Sequence, residues 1–199
     1  MSAALRALPA PEAGDQLDRL ALQRLAGGET SALGELYERH HAAVHRFVSR
    51  ATSDARDVDD IVQNAFLLVP GAASRFDGRA SCRGWLIGIA ANVIHRRGRS
   101  LARYAKMLGR FGEEMFSHGS RSSSPERDAM IGDDRAALGA ALARLGDRKR
   151  IVLVMAEIEG LSCDEIAQVL SVPVGTVWTR LHHARRELRA TLEKRGVRP

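Results

Sequence analysis

Apolar residues recur along this chain every three to four positions, and no stretch sustains the apolar–polar alternation of a half-buried strand. Such a pattern restricts the fold to packed helices, because each apolar stripe needs another helix to cover it. An all-α protein is expected. Leu33, Leu36, Tyr37, Val44, Phe47, Val48 and Ala51 mark one face of a helix that starts after Gly27-Gly28. Asp54 stands where an N-cap belongs for the next helix, whose stripe is Val58, Ile61, Val62, Ala65, Phe66 and Val69 and which Pro70-Gly71 is expected to stop. After the loop from Arg75 to Ser81, a third stripe turns Trp85, Leu86, Ile89, Ala90 and Val93 inward and ends in His95-Arg96-Arg97-Gly98-Arg99.

The periodicity weakens over residues 100–136, where glycines, Ser122-Ser123-Ser124-Pro125 and balanced charge read as a tether, with room for a short helix around Leu101–Leu108. It resumes with Leu138, Ala141, Leu142 and Leu145. Asp147 is placed to cap a helix carrying Ile151, Val152, Met155 and Ile158, which Gly160 closes. Ser162 and Glu165 have capping-box spacing ahead of a short helix through Leu170, and Ser171-Val172-Pro173 makes a turn. A last helix shows Val177, Leu181, Ala184, Leu188 and Leu192. The expected organisation is a disordered tail over 1–16, a helical unit over 17–99, a tether over 100–136, a second unit over 137–194 and a tail over 195–199.

Several classes are excluded early. Among 199 residues no apolar run approaches the roughly 20 that a membrane span needs, so no membrane insertion is expected. The opening Met1–Arg6 lacks a basic segment followed by an apolar core, so no secretory leader is expected. Cys82 and Cys163 are too few for a disulfide scaffold and lack metal-pair spacing, which suits a reduced, cytoplasmic protein. His41 and His45 have the i, i+4 spacing of metal ligands, yet no third ligand accompanies them in sequence. Ser, Asp and His form no catalytic grouping, and there is no glycine-rich phosphate loop. No catalytic residue, metal, cofactor or small-molecule substrate is expected.

The net charge of +6 is unevenly spread: residues 176–199 carry seven basic and two acidic side chains. A basic terminal helix points to a polyanion, nucleic acid before membrane. The short capped helix, turn and longer basic helix follow the helix-turn-helix plan, in which the second helix enters the major groove. With the apolar stripe inward, Thr176, Trp178, Thr179, Arg180, His182, His183, Arg185 and Arg186 are left outside as hydroxyl, ring and guanidinium groups suited to bases and phosphates.

The first unit carries two further surfaces. Asp57, Asp60, Gln63, Asn64 and Leu67 lie at helical spacing opposite the apolar stripe, either as a solvated face or as a docking strip for a partner helix. Phe76, Asp77, Arg79, Arg83, Trp85, Asn92, Arg96 and Arg97 mix rings with guanidinium groups, a combination suited to single-stranded nucleic acid. Phe76 and Trp85 equally suit the core of a small bundle. An ordinary helix-turn-helix regulator, dimeric on a palindrome, is the alternative reading of the whole chain.

Read together, the segments resemble the extracytoplasmic-function (ECF) group of bacterial sigma factors of the sigma-70 family. Asp57-Val58-Asp59-Asp60-Ile61-Val62-Gln63-Asn64-Ala65-Phe66, Arg75-Phe76-Asp77-Gly78 and Gly84–Asn92 resemble region 2, and Ala143-Arg144-Leu145, Glu159–Ser162, Asp164–Ala167 and Val172–Val177 resemble region 4. The resemblance implies a transcription initiation factor that binds core RNA polymerase through its β′ clamp helices and β flap and directs it to promoter DNA. It implies that the Asp57–Leu67 strip docks on the clamp, that the Phe76–Arg97 set captures the −10 element, and that the Thr176–Arg186 set reads the −35 element. A cognate anti-sigma factor is also implied, able to hold the protein at the membrane. Asn64 replaces a usual acidic residue, Trp178 a usual basic one, and Val69-Pro70-Gly71 a helical stretch.

Overall fold

The computed structural model describes residues 13–109 and 133–194. The expected tail before residue 13, the bulk of the tether and the tail from 195 lie outside the described residues. All regular structure described is helical: α1 (Ala13–Ala26), α2 (Ala32–Ala51), α3 (Val58–Ala72), α4 (Cys82–Gly109), α5 (Asp133–Ala143), α6 (Asp147–Glu157), α7 (Cys163–Leu170) and α8 (Val174–Glu193). Short 3-10 turns over Ala55–Asp57 and Ala73–Arg75 flank α3. The all-α expectation stands.

Four helices build the first unit. α1 begins four residues before the expected boundary at 17 and sends Ala21, Leu22 and Leu25 into the core. Gly28, at φ +94°, makes the turn into α2, whose Leu36, Val44, Phe47, Val48 and Ala51 are buried. Tyr37, expected in that core, is exposed. Asp54 does cap, accepting from the Arg56 amide at 3.0 Å, and the 3-10 turn it caps runs directly into α3. Pro70 does not stop α3, which continues to Ala72. Proline in the last turn forfeits only its own hydrogen bond to Phe66, while the buried Val69 and Ala73 on either side hold the segment against the core. Along α4 the buried stripe is Leu86, Ile87, Ala90, Ala91 and Ile94; Trp85, Ile89 and Val93 are half-buried beside it, and the helix runs to Gly109, past the expected start of the tether.

In the second unit Leu138 is exposed, whereas Ala141, Leu142 and Leu145 are buried as expected. Asp147 is the first residue of α6 rather than its cap; Gly146 holds that position, and the Asp147 carboxylate pairs with Arg150 one turn on. Ile151, Val152 and Met155 are buried, and Ile158 lies past the helix end, exposed. The capping box on α7 is complete: Ser162 Oγ accepts from the Glu165 amide at 3.2 Å and Glu165 Oε2 accepts from the Ser162 amide at 2.8 Å.

The two units share one continuous core. α7 lies on α4, where Gly84 and Gly88 open a seat one helical turn long: a Cβ on Gly88 would stand 2.7 Å from Cβ of Val169, and one on Gly84 would meet Leu161 at 3.4 Å. α6 lies against α2 through Arg150, which is 1% exposed. Its guanidinium donates to the Ala51 carbonyl at 2.8 Å and to the Leu142 and Ala143 carbonyls at 3.4 and 3.3 Å. The last carbonyls of a helix have no intrahelical partner, so one cation satisfies the ends of α2 and α5 together.

Candidate nucleic-acid and partner interface

Burying Val58, Ile61, Val62, Ala65, Phe66 and Val69 on one side of α3 leaves Asp60, Gln63, Asn64 and Leu67 on the other, and Leu67 is 65% exposed with Leu68 also open. Four of the five expected strip residues therefore share one free face. Asp57 departs from it: it sits on the preceding 3-10 turn, half-buried, with its carboxylate accepting from Arg97 of α4. Asp60 also reaches Arg97, at 3.7 Å. Beside the strip lies an open groove of about 800 Å³ lined by Tyr37, Glu38, His41, Gln63, Phe66 and Leu67. Tyr37 packs on His41 with ring centroids 4.5 Å apart and meets Phe66 edge-on at 4.8 Å. His41 and His45, 5.9 Å apart, extend this ring stack and belong to no three-residue metal-ligating cluster among the described residues.

A second cavity, of about 490 Å³, opens between the end of α3, the loop after it, α4 and α7. Phe76, Asp77, Trp85, Asn92 and Arg96 of the expected nucleic-acid set line it, joined by Arg75. Phe76 and Trp85 meet edge to face at 5.4 Å and both stay half-buried, so the rings serve the core and the cavity at once. Gly78, at φ +71°, turns the loop, and Asp77 Oδ1 accepts from the Arg79 amide at 3.1 Å; the Arg79 side chain is exposed, its Nε 3.5 Å from Asp77 Oδ2. Two members of the set are used elsewhere: Arg97 is held by Asp57, and Arg83 pairs with Glu159 between α6 and α7. The cavity's far wall is α7, with Gln168, Val169 and Ser171; Gln168 Nε2 donates to the Asp77 carboxylate at 3.3 and 3.4 Å.

On α8, Val177, Leu181 and Ala184 are buried and the expected outer set divides. Trp178 is 59% exposed, and Thr179, His182 and Arg186 are open with it. Thr179 spends its hydroxyl on the Gly175 carbonyl at 2.9 Å. Thr176 and His183 are half-buried, and Arg186 lies 3.3 Å from His183 Nδ1. Arg185 pairs with Glu157 of α6 at 2.6 Å. Arg180 departs from the expected outer face and turns into a 220 Å³ cavity shared with His95 of α4 and Arg148 of α6. Burial, then Arg148, lowers the Arg180 pKa; burial, then Arg148, Arg99 and Arg180, lowers that of His95, against Asp147.

Sequence reasoning missed the α7 wall and the Tyr37–His41–Phe66 groove. The first depends on how two units dock, for which no local pattern exists. The second had a signal, an aromatic and a histidine at i, i+4, but Tyr37 reads as core and His41 as half of a metal-ligand spacing with His45.

Comparison with known proteins completes the description. Residues 36–104 match the family described as Sigma-70 region 2, and residues 135–188 match Sigma-70, region 4. The chain is 33% identical over 175 residues to the ECF RNA polymerase sigma factor SigL of Mycobacterium tuberculosis (strain ATCC 25618 / H37Rv), covering 86% of this chain and 95% of SigL. It is 27% identical over 176 residues to the ECF sigma factor SigW of Bacillus subtilis (strain 168), covering 86% and 94%. Among solved structures, CnrH in complex with the cytosolic domain of CnrY aligns with a TM-score of 0.60 at 28% identity, over 89% of this chain and 98% of that one. RpoE of Bartonella quintana, solved with the anti-sigma factor NepR, has the same TM-score at 18% identity, over 80% and 96%, and attests the fold.

Proposed function

Because the chain belongs to the ECF RNA polymerase sigma factors, it is an alternative transcription initiation factor, and we propose how its surfaces divide that work. The α3 face with Asp60, Gln63, Asn64 and Leu67 docks on core polymerase, at the β′ clamp helices. The observation that carries this is the exposed Leu67–Leu68 pair on a helix whose other side is fully buried. Two adjacent open leucines bordered by acidic and amide groups suit the apolar stripe and polar flanks of a partner helix.

The Phe76–Trp85 cavity receives an unstacked base of the −10 element, with Asn92 and Arg96 at its polar rim. Extruding a base costs a few kcal/mol, which the two rings and the guanidinium offset by stacking and phosphate contact. Trp178, Thr179, His182 and Arg186 of α8 face the −35 duplex in the major groove, while Thr176, His183 and Arg185 flank that set. Region 4 also meets the β flap.

The closed arrangement is a resting one. Compact units of this size have radii of gyration of about 10–12 Å, and two turns of duplex span about 70 Å. Units that touch cannot occupy both elements, so α7 leaves α4 on the promoter. The 23 residues between Gly109 and Asp133 reach at most about 75–85 Å fully extended, enough for the separation. An anti-sigma factor is the further protein partner in this reading; CnrH, 28% identical to this chain, was solved with the cytosolic domain of CnrY bound. The workplace is the cytoplasm, where polymerase and promoters are; among the described residues no helix is long and apolar enough to cross a membrane.

The test is a pull-down with purified core polymerase, wild type beside Asp60→Arg/Leu67→Arg. Wild-type capture that the double change abolishes, with helicity intact by circular dichroism, is the expected result. Retention by the variant would move the docking face off α3.

A further inference from the structure

A cluster at the junction of α1, α2 and α4 takes no part in the surfaces above. Asp18 of α1 is 4% exposed, a depth at which a carboxylate needs partners. Its Oδ1 accepts from Arg39 Nε at 2.8 Å, and its Oδ2 lies 2.7 Å from His40 Nε2. Cys82, the first residue of α4 and 2% exposed, comes to the same point from the third helix. One ligand atom each of Asp18, His40 and Cys82 lies within 4.8 Å of the others.

We propose that Asp18, His40 and Cys82 form a binding site for a zinc-class divalent cation, with the fourth tetrahedral position open to water. The donor set is carboxylate oxygen, imidazole nitrogen and thiolate sulfur, which a borderline-soft d¹⁰ cation accepts and which magnesium or calcium does not favour. Bonds of about 2.0–2.3 Å put tetrahedral ligand atoms about 3.3–3.8 Å apart, so the cluster closes on the ion by side-chain shifts of about an ångström. Arg39 already occupies the second carboxylate oxygen, the outer contact that orients a ligating carboxylate. His40, the least buried of the three, marks the side from which the ion enters. Binding replaces the Cys82 S–H bond with a sulfur–metal bond and releases the proton to water. Each ligand comes from a different helix, so the ion ties α1 and α2 to the residue that directly follows the Phe76–Ser81 loop.

The test uses the reduced, chelator-stripped full chain titrated with Co²⁺ and then with Zn²⁺. The expected result is a thiolate-to-cobalt charge-transfer band with intense tetrahedral ligand-field bands, at one ion per chain, which Zn²⁺ abolishes. Cys82→Ser loses the charge-transfer band, Cys163→Ser keeps it, and His40→Gln weakens binding at least about tenfold. A wild-type titration without the charge-transfer band overturns the site, and so does a band that follows Cys163. The wild-type spectrum decides even if a variant fails to fold, and it does not depend on polymerase or DNA.

Discussion

Two faces of the same helical unit are differently placed. On α3, Gln63, Asn64, Leu67 and Leu68 are exposed, although Leu67 and Leu68 also line the edge of the Phe76–Trp85 cavity. On α4 and its preceding loop, Asp77 and Arg83 are held by Gln168 and Glu159, and Gly84 and Gly88 carry α7. The face proposed for polymerase is ready as it stands, whereas the face proposed for the −10 element shares its cavity with the unit that must travel to −35. This difference implies an order: docking on polymerase requires no rearrangement, and promoter capture does. The closed chain alone should bind promoter DNA weakly, because affinity scales with the fraction of competent molecules.

Gly88→Leu breaks the comparison most forcefully. Val169 leaves no room for a side chain there, while leucine improves helix propensity in α4. The two units should part with circular dichroism unchanged, a larger radius of gyration by X-ray scattering, and promoter affinity without polymerase raised on the order of tenfold. Core polymerase capture should not change. Unaltered scattering would show that α7 does not depend on the glycine seat.

Arg186→Ala sharpens the comparison from the open side. It should leave scattering unchanged, weaken promoter binding by about 1 kcal/mol and reduce the salt dependence of that binding by about one phosphate contact. A shifted radius of gyration would place Arg186 in the closure instead.

Smaller effects belong to the seam. Arg83 is partly exposed, so Arg83→Gln should favour opening by only about 0.5–1 kcal/mol. Glu159 is the buried partner, so Glu159→Gln, which removes that charge, should open less than Arg83→Gln, which strands it, and the double variant should be no worse than Arg83→Gln. Additive losses in the double would dissolve the pair. Acidification acts in the same direction. Closure holds His95 below its ordinary pKa, so the closed state binds fewer protons than the open one. Closure is therefore strongest above about pH 6.5 and weakens as pH falls from there. Scattering recorded between about pH 8 and 5.5 should show this in wild type and lose it in His95→Gln.

How much the sequence disclosed depended on the range of the interactions. Local chemistry was legible: the Ser162–Glu165 capping box, the Asp54 cap and the buried stripe of α3 all follow from spacing. The α3 strip was legible for the same reason, as the complement of that stripe. Asp57, Arg83, Arg97 and Arg180 had the right chemistry for an open surface, yet each found an intramolecular partner or cover that sequence spacing does not encode. Pro70 misled because a breaker is weak in a last turn flanked by buried residues. Tyr37 misled because a helical stripe has edges, and an edge position can face either way.

Arg150 gives the closure a clock. Its guanidinium reaches 99 positions back along the chain to end α2 at the Ala51 carbonyl, and it departs with the second unit. A helix end stripped of its cap frays, and frayed amides trade their hydrogens with water sooner than held ones. The last turn of α2, at Val48–Thr52, touches no DNA in the proposed reading. Its deuterium uptake should nevertheless quicken each time the distant unit swings away, so a segment buried in the first unit reports the whereabouts of the second.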